Sequence, residues 1–291
     1  MVRSAAAARA LCALVALACA AGCSPAAPPS APGSPGPVGA AVDQFRDEYA
    51  SGSVVLQVTD TGGAPFTVVR AELDDPRFQD GTVWSGSADL TAGQTLSLPA
   101  ALAAARCNLG ASDTAPSLRV RLADGTDHTV AAADPHAVLP RLHGEQCFAQ
   151  QAALAVRLRL EDTLGAGSTP STAVLTLAAD APAEPTGTSA GPTGTPPQGI
   201  LEAVEGTILL GEDPGRPWPH GVILAPGTRV ALAVRPARCD PHAVAEDKVG
   251  TLLPVELGVG DATGVVKVAA PPALRAALYR FVARACGWPA G

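Results

Sequence analysis

Apolar residues recur at every second position along much of the chain. Val54, Leu56 and Val58 do so, as do Leu118, Val120 and Leu122 around Arg119 and Arg121. Leu154, Val156, Leu158 and Leu160 alternate with Arg157 and Arg159, and Val255, Leu257 and Val259 form a further set. A period of two sends one set of side chains into a core and the other into water, which predicts strands. Asp60-Thr61-Gly62-Gly63 and Asp124-Gly125 carry turn chemistry between such runs. Many short strands separated by turns predict a mostly β chain built from β-sandwiches. Helix is predicted after Pro271-Pro272, where Leu274, Leu278, Phe281 and Ala285 share one face. The matching stretch, His136 to Cys147, contains Pro140 and is expected to be less regular.

The pattern occurs twice. Phe66 precedes Trp84 by eighteen residues, and Ile200 precedes Trp218 by eighteen. Nine residues beyond each tryptophan stands a glycine, Gly93 or Gly227. Leu96 and Leu98 then match Val230 and Leu232, and the segments close on Ala-Ala-Arg-Cys107 and Pro-Ala-Arg-Cys239. A second cysteine follows in each half, Cys147 or Cys286. The repeat predicts one disulfide per module, Cys107–Cys147 and Cys239–Cys286. Ala100 to Ala105 has helical propensity, but its partner in the second repeat reads as strand, and the repeat is given precedence. The expected architecture is two tandem immunoglobulin-like β-sandwich modules, residues 43–155 and 156–291, with the boundary between Phe148 and Asp162. A Pro/Thr/Gly-rich stretch, 181–198, falls where the first repeat has its Gly62-Gly63 turn. It is expected to be an expanded loop inside the second module.

The N-terminus adds an address. Arg3 and Arg9 precede an apolar run from Ala10 to Ala21, and Ala20-Ala21-Gly22-Cys23 ends on a cysteine. This resembles a bacterial lipoprotein signal, with residues 1–22 removed and Cys23 lipidated. The run is too short for a lasting transmembrane helix, which needs about 20 apolar residues. Residues 23–42 are rich in Pro, Ala, Ser and Gly and are expected to act as a tether. The whole chain has a net charge of −7, and loss of Arg3 and Arg9 takes it to −9. A dispersed acidic surface argues against nucleic acid as a partner and against electrostatic docking on anionic lipid. An even set of four cysteines beyond Cys23 suits an oxidising compartment.

Candidate chemistry concentrates in one loop. Cys239-Asp240-Pro241-His242 is followed by Glu246-Asp247-Lys248, placing thiol, imidazole, carboxylates and ammonium within ten residues. Cys239 has a partner in Cys286, and no second His or Cys stands nearby at zinc spacing. Asp240, His242, Glu246, Asp247 and Lys248 are therefore read as a turn that could contact a partner. Asp134-Pro135-His136 looks similar but occupies a different place in the repeat. His128, His143 and His220 read as exposed or packing residues. No nucleophile elbow, zinc-protease helix, phosphate-binding glycine loop or dinucleotide fingerprint occurs. No catalytic residue, metal ligand or cofactor is expected, and the chain is read as a non-enzyme. Trp84 and Trp218 are expected to plug the cores, with Trp288 covering one end of the second module.

The segment Pro236-Ala237-Arg238-Cys239-Asp240-Pro241-His242-Ala243-Val244-Ala245-Glu246-Asp247-Lys248, with its closing Ala285-Cys286-Gly287, resembles uncharacterised exported lipoproteins of actinobacteria. The resemblance spans about Gly199 to Trp288. It is looser over Val54 to Leu73, where no Asp-Pro-His follows Cys107. It implies an exported location and tandem disulfide-closed immunoglobulin-like modules, and it carries over no activity or ligand. The expected role is a non-catalytic lipoprotein on the extracytoplasmic face of the membrane, acting as a binding or structural module for an envelope or protein partner. The alternative is a small-molecule receptor or transporter accessory protein with a cleft between modules.

Overall fold

The computed structural model describes residues 37–107, 115–182, 198–240 and 251–288. In the first half, seven strands form one hydrogen-bonded path. They are β1 (Val38–Asp43), β2 (Val54–Asp60), β3 (Phe66–Asp74), β4 (Val83–Leu90), β5 (Thr95–Ala100), β6 (Ser117–Leu122) and β7 (Asp127–Ala133). Their order is β4-β3-β6-β7-β1-β2-β5. Every pairing is antiparallel except β1 with β7, where Ala40 and Ala41 lie opposite Ala132 and Ala133. The predicted alternation holds: Leu118, Val120 and Leu122 are buried, while Arg119 and Arg121 between them are exposed.

The second half has β8 (Arg157–Leu160), β9 (Gly165–Ala166), β10 (Ala173–Asp180), β11 (Gly199–Val204), β12 (Leu210–Glu212), β13 (Val222–Ile223), β14 (Arg229–Pro236), β15 (Leu252–Val259) and β16 (Ala262–Ala269). One sheet runs β12-β14-β10-β8 with β9 beside β10, and the other runs β13-β11-β15-β16. The pairings β8-β10-β14 and β13-β11-β15-β16 reproduce β1-β2-β5 and β4-β3-β6-β7 of the first half. The likeness extends to single hydrogen bonds. The Gly93 N–H donates to the Asp60 carbonyl and the Asp60 N–H to that of Gln94. In the second half, Gly227 donates to Ala179 and Ala179 to Thr228. Gly93 and Gly227 have φ of 74° and 89°, a left-handed turn conformation that glycine adopts without strain. A bulge interrupts β3 between Val68 and Arg70, and β11 between Leu201 and Ala203, at matching places.

Each half carries its own hydrophobic cluster. Leu56, Val58, Leu90, Leu118 and Val120 belong to the first, and Leu175, Leu177, Leu201, Leu232 and Leu257 to the second. After its last strand each half continues into a helix, α1 (Val138–Ala153) or α2 (Pro272–Ala285). The α2 helix buries Leu274, Leu278 and Phe281 of the predicted face together with Val282, while Ala285 is only partly buried. No helix among the described residues is long and apolar enough to cross a membrane.

Four expectations need correction. The tether expected through residue 42 ends sooner, because Val38–Asp43 is a strand held by β2 and β7. The α1 helix is regular over 16 residues despite Pro140. Pro140 is its third residue, where a backbone N–H has no intrahelical acceptor to lose. Asp134 starts that helix, its two carboxylate oxygens accepting from Val138 N–H (2.7 Å) and Leu139 N–H (3.0 Å). The strand expected from Leu154 begins only at Arg157, and Leu154 is the exposed C-cap of α1. Beyond Ala100 the chain is neither helix nor strand, apart from a single bridge between Ala105 and Phe78. Most of the 181–198 stretch lies outside the described residues. The strands on either side of it, β10 and β11, contribute to one hydrophobic cluster.

Candidate functional site

The α1 helix is the element that serves both halves. Val138, Leu139 and Leu142 enter the first hydrophobic cluster, whereas Ala152 and Phe148 pack with the second. Phe148 lies on bare backbone at Gly264 of β16, where a Cβ would stand 2.6 Å from the ring. Next to this contact, Glu145 accepts from Lys267 Nζ of β16 (2.8 Å) and from Arg141 Nη1 (2.9 Å). Arg141 also donates through Nη2 to Gln44 Oε1 at 2.6 Å, and its guanidinium stands 5.8 Å from the centre of the Tyr49 ring. Gln44 in turn donates to the Ser53 carbonyl. One network thus links the β1–β2 connection, α1 and β16.

Burial pushes the Glu145 carboxyl up, but hydrogen bonds and charge from Lys267 and Arg141 outweigh it and hold the group below its ordinary value. A carboxylate held ionised between two cations is a weakened base. It can orient a polar ligand or lock two packed surfaces together. Beside it lies a cleft of about 360 Å³, bounded in part by Tyr49, Leu142, Glu145, Val266 and Lys267. A recess of about 650 Å³ near Arg141 is lined by Phe45, Tyr49 and His136. Phe45 and Tyr49 are 41% and 38% exposed, which leaves aromatic surface available at its rim.

The cysteines expected to pair do so, Cys107 with Cys147 and Cys239 with Cys286. Both bridges join the segment after the fifth strand of the repeat, β5 or β14, to the terminal helix region. In the loop singled out from the sequence, Asp240 forms an ion pair with Arg238 at 3.3 Å. His242, Glu246, Asp247 and Lys248 lie outside the described residues, as does Cys23. Among the described residues no group of three or more His, Cys, Asp and Glu side chains is placed to hold a metal. His143 packs edge-on against Phe78, with ring centres 5.9 Å apart, while His136 and His220 are exposed. Trp218 is buried and donates its indole N–H to the Ala233 carbonyl at 2.7 Å. Trp84 packs on the first cluster with its ring across Gly86. Trp288 donates to the Cys239 carbonyl at 3.2 Å and so covers the second bridge.

The junction network escaped sequence reasoning. Its one local signal is the Arg141/Glu145 spacing of four, which pairs on a helix, in a stretch that Pro140 leads one to expect to be less regular. Lys267 and Gln44 reach the site only through long-range packing.

No protein family and no curated protein matches the sequence. Solved structures similar to the chain include the CupB2 chaperone of Pseudomonas aeruginosa, at 14% identity and a TM-score of 0.18, over 75% of this chain and 92% of that one. Red sea bream transglutaminase matches at 14% identity and a TM-score of 0.24, over 81% of this chain but 31% of the enzyme. The exo-chitosanase CsxA of Amycolatopsis orientalis matches at 14% identity and a TM-score of 0.17, over 80% of this chain and 26% of that one. Likenesses this distant identify neither fold family nor activity.

Proposed function

We propose that the chain is a bacterial lipoprotein anchored through Cys23 on the extracytoplasmic face of the membrane, where it acts as a non-catalytic binding or structural module. Its body is two immunoglobulin-like sandwiches, the first from Val38 to about Ala153 and the second from Arg157 onward. The repeated grouping of strands 1, 2 and 5 and of strands 3, 4, 6 and 7, joined in the first half by the short parallel β1–β7 pairing and separate in the second, supports that fold assignment. The observation that carries the location is the pair of disulfides at equivalent places in the two halves, since such bridges persist in oxidising compartments. Removal of residues 1–22 would leave the lipidated cysteine 15 residues ahead of Val38, with a Pro-rich segment between. Expression in a host that processes lipoproteins, followed by detergent phase partitioning, tests the anchor. The wild type enters the detergent phase and Cys23→Ala the aqueous phase; equal partitioning of the two refutes it.

The cleft beside Glu145 favours a second reading, a small-molecule receptor. Its size suits a ligand of a few ring or chain units, with Tyr49 as an apolar wall and Lys267 as a polar contact. Thermal shift across a metabolite panel tests this. A stabilising compound whose effect is lost in Tyr49→Ala supports the receptor, and a flat response across the panel removes it.

A further inference from the structure

We propose that the Cys107–Cys147 bridge is a reactive disulfide that His143 primes for exchange with a dithiol reductant. His143 and Cys147 are one helical turn apart on α1, and His143 Nε2 lies 3.6 Å from Cys147 Sγ. The same nitrogen is 3.3 Å from the Arg106 carbonyl, which only accepts, so Nε2 carries a hydrogen. Phe78 holds the ring in place at an interplanar angle of 88°. The single Nε2 hydrogen is thus within reach of both the Arg106 carbonyl and one sulfur of the bridge, and negative charge on that sulfur would draw it from the carbonyl. Cys107 and Cys147 both pack on the edge of the first hydrophobic cluster but are only partly buried, so the bridge lies near the surface. Gln150 Oε1, 3.4 Å from Cys107 Sγ, flanks the bridge without charge of its own.

The exchange proceeds in two steps. A thiolate of the dithiol attacks Cys107 Sγ; a reagent–Cys107 disulfide forms, the Cys107–Cys147 bond breaks, and Cys147 departs as a thiolate. The His143 Nε2–H stabilises that thiolate as a hydrogen-bond donor, and the thiolate then takes its proton from solvent. The second thiol of the reagent, after losing its proton to solvent, then attacks the reagent sulfur of the mixed disulfide. The reagent leaves as a disulfide, and Cys107 takes a proton from water. Two electrons and two protons pass from the dithiol to the bridge. Stabilising the departing thiolate speeds exchange and makes the bridge more oxidising, because the reduced form is favoured. Opening the bridge removes the covalent tie between α1 and the segment after β5, leaving the Ala105–Gln146 hydrogen bond, so the redox state acts on the helix that joins the two halves. This inference stands apart from the proposed anchoring and from the receptor reading.

The test uses the oxidised protein with dithiothreitol as the defined dithiol. Timed alkylation and mass spectrometry follow each bridge separately in the wild type, His143→Gln and His143→Phe. Phenylalanine keeps the ring against Phe78 and removes the proton donor. Opening of Cys107–Cys147 is expected to slow about tenfold in both variants, as loss of leaving-group stabilisation requires, while Cys239–Cys286 opens at its wild-type rate. An unchanged or faster rate at Cys107–Cys147 in His143→Phe overturns the proposal. So does an equal change at both bridges, which would mark general loosening of the fold.

Discussion

Replacing Gly264 by alanine should loosen the junction between the two halves. The new Cβ would stand 2.6, 2.7 and 2.9 Å from three ring carbons of Phe148, closer than carbon atoms approach without displacement. Gly264 lies within β16 and its φ is outside the left-handed region, so the backbone itself accepts alanine. The effect therefore isolates the contact. Overpacking of this kind costs about 1–3 kcal/mol, and about 2–4 °C in Tm per kcal/mol is expected for a body of this size. Phe148→Ala removes the clashing ring at its own cost. In that background Gly264→Ala should be neutral or gain roughly 0.5 kcal/mol, because alanine restricts the unfolded chain more than glycine does. Urea titration of the wild type, both single variants and the double variant gives the coupling energy directly. A Gly264→Ala protein as stable as the wild type, or additive effects in the cycle, would refute the role assigned to the Phe148 contact.

Two further outcomes follow from the same region. Asp134→Ala removes both carboxylate contacts at the start of α1 and should destabilise the protein by about 1–2 kcal/mol, read by denaturant midpoint, with Asp134→Asn losing less. Glu145 titrates below its ordinary range in the folded protein, so its stabilisation is present above the unfolded value of about 4.3 and is lost as pH falls through the depressed folded value. The group is only half-buried, so the contribution is below about 1 kcal/mol; the Tm gap between wild type and Glu145→Gln should therefore be small at pH 7 and shrink as the pH falls below about 4.

The alternating runs were legible in the sequence because each faces one core and water, as Leu118–Leu122 does. The cysteine pairing was legible because it followed from the repeat rather than from local spacing. Pro140 misled because its effect depends on position within a helix, and that position is set by Asp134 several residues upstream. Residues 38–42 resembled tether by composition, yet small residues such as Ala40 and Ala41 fit a strand flanked closely on both sides. The junction was invisible because Gln44, Glu145 and Lys267 are brought together from three distant elements. Each of them alone looks like an ordinary surface residue.

The intact mass of the protein isolated from membranes tests the proposed identity most directly. The expected mass is that of a chain beginning at Cys23, carrying a diacylglyceryl group with or without a further acyl chain, and lacking four hydrogens for two disulfides. A chain that retains residues 1–22, or an unmodified Cys23, would contradict the anchor; four free thiols at Cys107, Cys147, Cys239 and Cys286 would contradict the compartment.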